Sequence, residues 1–320
     1  MNLDKKKLKK IKGDASFRCF YRKKSNKKNS IIVYANKEKE KNLLIYDAVN
    51  NLLIKNNILA PKLYSENYKK NFIEIEDFGD LTVFKLLKKK TNNKLNLFKS
   101  SIRLLNNIQK IQEKKIKNFK GKCYKIENYN NKKLFDEAKL FSIWYVPKFI
   151  SKNKQLKFNK LIKEQIEFLL SKIKLKNNIF VHRDFHVSNL MKYKNKIATI
   201  DTQDALIGNR AYDLASLIDD VRFKTTEQFK NKIYDYYLNL NKKNINKNNF
   251  KNDFEILSVL RNLKIIGIFT RLTIRDKKKY LKFIPYAWKL IELRMKKNIV
   301  FNELKKLLDL NFSIKIRAIK

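Results

Sequence analysis

The chain has 320 residues, with 75 Lys and Arg against 30 Asp and Glu, a formal charge of +45 and only two cysteines. That length buries a sizeable core in one large domain or two lobes, and the cysteine count argues against a disulfide framework or a cysteine-built metal site and fits a reducing cytoplasm. The charge alone does not mark a nucleic-acid binder, because Lys is spread through nearly every polar stretch, Arg is scarce and no basic stripe is interleaved with aromatics.

Lys, Asn and Ile are abundant together, as A/T-rich codons would favour. The opening MNLDKKKLKKIKGD has no apolar leader core, and no later run approaches the roughly 18 apolar residues that span a bilayer. The expectation is a soluble cytoplasmic protein without a membrane partner. After Gly13, the aromatic and β-branched stretches SFRCFY (16–21) and SIIVYA (30–35), split by the polar SNKKN, predict a strand pair. Residues 40–55 place apolar side chains at helical spacing and predict a helix ending before Pro61. KLYSEN and FIEIED predict two more strands, closing near Gly79.

Beyond residue 80 the pattern turns to long helical periods, LFKSSIRLLNNIQKIQ and NKLIKEQIEFLLSKIK among them. Only NIFVHRDFHVSNLM and KIATIDTQDALIG interrupt them. This order predicts an α+β fold of two lobes: a small antiparallel-sheet N-lobe for a nucleotide over residues 1–79, and a larger helical C-lobe with the catalytic and acceptor-binding groups over 80–320. No internal repeat is present, and the lysine-rich stretches 85–94 and 241–252 read as loops or helix ends.

Transfer of a γ-phosphoryl group needs a carboxylate to orient the acceptor hydroxyl, cations to neutralise phosphate charge and ligands for those cations. His182, Asp184 and Asn189 fit the spacing H-x-D-x-x-x-x-N, which brings an Asp and an Asn to one side of a tight loop. In that pattern Asp184 is the acceptor-side base, Asn189 offers a carbonyl oxygen to Mg²⁺, and Asp201, after the strand-like KIATI, supplies the charged metal ligand. His182 joins the catalytic set as a prop of the loop rather than a proton carrier, because a carboxylate base is already present. The competing reading is a polar turn in which Asp184 and Asn189 only cap backbone groups. His186 reads as a loop or acceptor-side residue, and Gln203 and Asp204 stand close enough in sequence to join the metal or acceptor shell.

Residues Gly13, Asp14, Ala15, Ser16, Phe17 and Arg18 read either as a tight turn over nucleotide phosphates or as an ordinary hairpin turn. Glu76, Asp77 and Phe78, in EIEDFGD, read either as the segment whose backbone holds adenine or as an acidic turn. Asp213 reads either as a dipole partner at the start of the helix RAYDLASLID, the favoured structural role, or as an anchor of the catalytic loop from below. In RNLKIIGIFTRLTIRD, Arg271 and Arg275 form either the polar edge of a core helix or an anion-binding pair.

Together GDASFRCFYR, IEIEDFGD, LFSIWYVPKF, HRDFHVSNLM, IDTQDALIGNRAYDLASLIDD and RNLKIIGIFTRLTIRD resemble the aminoglycoside phosphotransferase superfamily, a branch of the protein-kinase-like fold. More narrowly, the chain is similar to bacterial sugar kinases that phosphorylate N-acetylmuramate and N-acetylglucosamine at the anomeric hydroxyl in cell-wall recycling. The resemblance implies ATP and Mg²⁺ as cofactors, a small-molecule sugar as substrate, and a sugar-1-phosphate nucleotidyltransferase acting downstream. Two departures stand out. SIIVYAN lacks the third-strand lysine of many kinase-like enzymes, leaving Arg18, Arg22 or a nearby lysine to contribute in its place, and Ile143 stands before Trp144 where an acidic residue is usual. The alternatives are a kinase for an aminoglycoside, a choline-like alcohol or a protein, and a nucleotide-binding protein without transfer activity. The acidic deficit disfavours polycationic acceptors.

Overall fold

The computed structural model describes residues 8–11, 18–25, 28–35, 42–89, 93–243 and 245–319. The chain divides into two compact units that are not contiguous in sequence: Met1–Glu127 with His182–Leu206, and Asn128–Val181 with Ile207–Lys320.

The first unit is built on a five-stranded antiparallel sheet in the order β1-β2-β3-β5-β4. Its strands are β1 (Leu8–Ile11), β2 (Arg18–Lys23), β3 (Ser30–Ala35), β4 (Leu63–Asn67) and β5 (Phe72–Glu76), with helix α1 (Asn42–Lys55) between β3 and β4. Alternate residues of the central strand β3, Ile31, Val33 and Ala35, meet Leu43 and Tyr46 of α1 and Ile73 and Ile75 of β5 in one buried cluster. β1 lies in the lysine-rich start that no strand was expected to occupy. It pairs Leu8 with Lys23 and Ile11 with Phe20 at the sheet edge, where lysines discourage further strand addition.

The same unit holds α2 (Val83–Lys88), α3 (Lys94–Ile108) and a short hairpin of β6 (Lys115–Lys117) and β7 (Cys123–Lys125). Asn93 and Thr82 cap α3 and α2 by accepting from Asn96 and Lys85 N–H. Strand β8 (Asn177–Val181) belongs to the second unit, and the chain then returns to the first for a loop and the antiparallel hairpin β9 (Leu190–Tyr193) and β10 (Lys196–Thr199). Met191 and Ala198 of that hairpin bury against Phe78, with Leu59, Tyr193 and Ile200 around them.

The second unit pairs β8 with β11 (Leu206–Asn209) and is otherwise helical. Its helices are α4 (Asn131–Ala138), α5 (Val146–Phe149), α6 (Lys152–Ser171), α7 (Ala211–Ile218), α8 (Glu227–Leu240), α9 (Lys247–Ile274), α10 (Ile284–Met295), α11 (Asn302–Asn311) and α12 (Ile314–Arg317). The 28-residue α9 is the axis: α4, α7, α10 and a π-helical turn at Phe141–Tyr145 pack against it, and residues on nearly all its faces are buried. Gly267 lets α9 reach that turn, since a Cβ there would lie 2.4 Å from the Leu140 carbonyl oxygen. The α+β class read from the sequence is the class observed. Among the described residues no helix is long and apolar enough to cross a membrane, and Cys19 and Cys123 are free thiols.

Candidate active site

The loop between β8 and β9 and the turn after β10 gather His182, Asp184, Asn189 and Asp201 within the first unit. His182 is fully buried, with its Nε2 3.1 Å from the Ile200 carbonyl oxygen and 2.7 Å from Thr199 Oγ1. The imidazole therefore ties the start of the loop to the end of β10, immediately before Asp201. Asn189 closes the loop from the other side. Its Nδ2 donates to the Asp184 carbonyl oxygen at 3.1 Å, and its own carbonyl accepts from Ile200 N–H at 3.0 Å. These cross-links hold the half-buried Asp184 and Asn189 side chains next to the Asp201 turn.

Two residues here have left-handed backbone, Arg183 at φ 72° and Asp201 at φ 63°. Such conformations are costly for residues with a Cβ and concentrate at functional sites. Arg183 Nη1 donates to the Asp204 carbonyl oxygen at 3.2 Å, joining one strained residue to the turn that carries the other. Behind Asp201, Thr202 donates to Asn50 Oδ1 at 2.6 Å and Asn50 donates to the Pro61 carbonyl at 3.2 Å, so α1 anchors the turn.

Asp201 is surrounded by excess negative charge. Its nearest cation is Arg18, whose Nη2 lies 3.3 Å from Oδ1, and Gln203 Nε2 donates to the same oxygen at 3.2 Å. Although the Asp201 side chain keeps 39 % of its surface open, its carboxyl is raised above the usual range. Loss of water is the main cause, with Asp184 and Asp204 adding to it and Arg18 and Gln203 opposing it. Among the described residues one arginine and two other carboxylates act on this carboxyl, a balance that suits a further cation. No group of three or more His, Cys, Asp or Glu side chains forms a ready metal cage among the described residues. Asp201 and Asn189 fit a divalent ion of the Mg²⁺ kind, which is commonly held by one or two protein ligands, phosphate oxygens and water.

The basic residues of β2 divide their work. Arg18 is 7 % exposed and lies over the Tyr46 ring, 5.9 Å from its centroid, with its guanidinium toward Asp201. Arg22 is committed elsewhere: Nε and Nη2 grip both Asp77 oxygens at 2.5 and 3.1 Å, Nη1 binds Asp80 at 2.9 Å, and Nη2 also reaches the Gly79 carbonyl. That clamp escaped sequence reasoning. A strand alternates faces, so Arg18 and Arg22 sit on one side of β2, but nothing local says which acid each meets.

The segment after β5 is fixed by the same network. Glu76 N–H donates to the Lys62 carbonyl at 2.8 Å, and its carboxylate accepts from Tyr193 at 2.9 Å and Lys28 at 3.2 Å. Phe78 is buried against the Tyr193 ring at 4.6 Å, and its backbone N–H has no partner among the described residues. Gly13, Asp14, Ala15, Ser16 and Phe17 lie outside the described residues. Asp213, by contrast, is buried in α7 of the second unit, where Arg271 of α9 lies with its Cζ 6.0 Å from the Trp144 ring centroid.

Comparison with known proteins agrees with this geometry. An N-acetylmuramate/N-acetylglucosamine kinase of Neisseria meningitidis serogroup B is 26 % identical over 280 residues, 85 % of this chain and 80 % of that protein. A protein of the same name from Pseudomonas aeruginosa is 25 % identical over 301 residues, 92 % of this chain and 86 % of its own length. Among solved structures, amicoumacin kinase hAmiN in complex with AMP-PNP, Ca²⁺ and Ami has the same fold, with a TM-score of 0.60 at 13 % identity over 92 % of this chain and 90 % of that one. The phosphotransferase enzyme family (APH) matches residues 7–244, well over half of the sequence and including the whole loop and turn just described, and the chain belongs to that family.

Proposed function

We propose that this small-molecule kinase transfers the γ-phosphate of ATP to the anomeric hydroxyl of N-acetylmuramate or N-acetylglucosamine. The observation that carries the sugar reading is the similarity to kinases of that name along at least four fifths of their length. The geometry supports the division of labour. Asp184, held by Asn189 and the His182 tether, orients the acceptor hydroxyl and accepts its proton as the oxygen attacks phosphorus. Asn189 and Asp201 would hold Mg²⁺, which neutralises charge on the β- and γ-phosphates.

Arg18 takes the place of the absent third-strand lysine. It is the buried cation at Asp201, whereas Arg22 is engaged by Asp77 and Asp80. The Phe78 N–H offers a donor to the adenine edge, and the sequence stretch Gly13, Asp14, Ala15, Ser16 and Phe17 is assigned to the phosphates. The product is a sugar 1-phosphate, whose chemistry suits a nucleotidyltransferase as the next enzyme.

The test is ADP formation with a panel of amino sugars, choline-like alcohols and aminoglycosides, with Asp184→Ala as the control. N-acetylmuramate and N-acetylglucosamine should give turnover far above that variant. Turnover confined to another acceptor overturns the sugar reading, and no acceptor rising above the control overturns the proposal entirely.

A further inference from the structure

In the first unit, the turn that follows β5 is held from across the sheet by a single side chain. The register runs from Arg22 of β2 to Ile31 of β3 to Ile75 of β5, so the three side chains share one face. Two strand spacings are about 9.6 Å, a gap that the stem of an arginine bridges. The guanidinium then meets the turn at three points: both Asp77 oxygens at 2.5 and 3.1 Å, the Gly79 carbonyl at 3.1 Å and the Asp80 carboxylate at 2.9 Å.

The turn is also closed from within. Asp77 Oδ1 accepts from Gly79 N–H at 2.8 Å, an Asx turn, and Gly79 has φ 79°, the left-handed backbone that glycine adopts without strain. Phe78 is the residue enclosed. Before it, Glu76 is fixed by Tyr193 and Lys28. Beyond it, the Leu81 carbonyl accepts from Lys192 N–H at 2.8 Å, and Phe84 N–H donates to the Val187 carbonyl at 2.9 Å, which stitches the segment to β9 and the loop before it.

The peptide that carries the Phe78 N–H is therefore oriented by the Asp77 side chain, and that side chain by Arg22. The Asp77 carboxylate is only 6 % exposed. Without its counter-charge, a carboxylate at that depth would turn toward water and take the Phe78 peptide plane with it. A lysine would not hold the same turn, because it offers a point charge in place of a planar fork.

We infer that Arg22 is a positioning residue for the nucleotide base: it aims the Phe78 N–H at the ring nitrogen that adenine leaves unprotonated and guanine does not, and so sets a preference for adenine nucleotides. This role rests on the proposed reading of Glu76, Asp77 and Phe78 as the segment that holds adenine, and it names the side chain that keeps that segment in shape. Every residue it uses belongs to the first unit. It is independent of which hydroxyl receives the phosphate.

The experiment is calorimetric binding of ADP and of GDP, each with Mg²⁺, to the full chain. Wild type should prefer ADP. Arg22→Met should weaken ADP about five- to tenfold, the value of one hydrogen bond to the base, and leave GDP nearly unchanged, so that the preference falls by the same factor. In turnover the loss should lie in KM for ATP, with kcat and the acceptor KM kept. Arg22→Lys, which can still meet one acid at a time, should recover part of the ADP affinity and keeps the test open if Arg22→Met fails to fold. ADP affinity unchanged in both variants, or an equal loss on ADP and GDP, overturns the role of Arg22 while leaving the adenine segment standing. Wild type that binds GDP as tightly as ADP sinks the adenine reading of Phe78, and this role with it.

Discussion

The turn around Asp201 in the first unit and the end of α7 around Asp219 in the second each join an aspartate to an arginine, with opposite results. Burial alone would raise the Asp219 carboxyl, but Arg294 grips it through Nε and Nη2 at 2.8 and 2.9 Å, Lys230 lies at 3.1 Å and Ser258 donates at 2.6 Å. Its pKa falls well below the usual carboxylate range. Asp201 has one cation at 3.3 Å, two acidic neighbours and a raised pKa. The saturated aspartate pins helices together. The under-compensated one suits the cation-holding role proposed for it.

The sharpest way to break this comparison is to neutralise each carboxyl in turn. Asp201→Asn should lower kcat/KM on the order of 10²- to 10³-fold, because a charged transition-state contact is lost. Stability should change by less than about 1 kcal/mol, since a partly open, single-cation pair is worth little to the fold. Steady-state kinetics beside a denaturation curve checks both, and a large loss of stability with activity retained would reverse the roles.

Asp219→Asn should do the converse. It leaves Arg294 and Lys230 buried without a counter-charge and should cost about 3–5 kcal/mol in urea unfolding. The pH dependence has a definite sign: a depressed carboxyl contributes stability above its unfolded pKa and loses it as pH falls through the folded value. Wild type should therefore lose stability more steeply on acidification than Asp219→Asn. Equal slopes would remove Asp219 as the pin.

Gly267→Ala tests the second unit's packing without touching charge. The added methyl would meet the Leu140 carbonyl, forcing α9 and the π-helical turn apart at about 1–3 kcal/mol. A variant as stable as wild type in thermal unfolding would show that this approach is not tight.

The smallest effect concerns Asp47 of α1, which lies between the two extremes. Burial lifts its carboxyl to about 6, against hydrogen bonds from Phe119 N–H and Asn51. A raised carboxyl contributes stability below its unfolded pKa and loses it as pH rises through the folded value. The stability of Asp47→Asn relative to wild type should accordingly climb between about pH 4 and 6 and level off above. Unfolding curves across that range with no such climb would refute the assignment.

Much of this was legible in the chain itself. SIIVYA and FIEIE alternate as strands must, NKLIKEQIEFLLSKIK repeats as a helix must, and HRDFHVSN with Asp201 carries its spacing in one short stretch, because these patterns are set by local geometry and by the chemistry of the residue types. β1 was hidden, since LKKI offers two apolar residues among lysines and becomes a strand only by pairing with β2. The return of His182–Leu206 to the first unit was equally invisible, as were the opposite duties of Arg18 and Arg22. Residue type and spacing determined the fold class and picked out the residues, His182, Asp184, Asn189 and Asp201, that the first unit brings together. Only the tertiary structure decided which charges are satisfied, because a partner distant in sequence leaves no trace in the pattern around either residue.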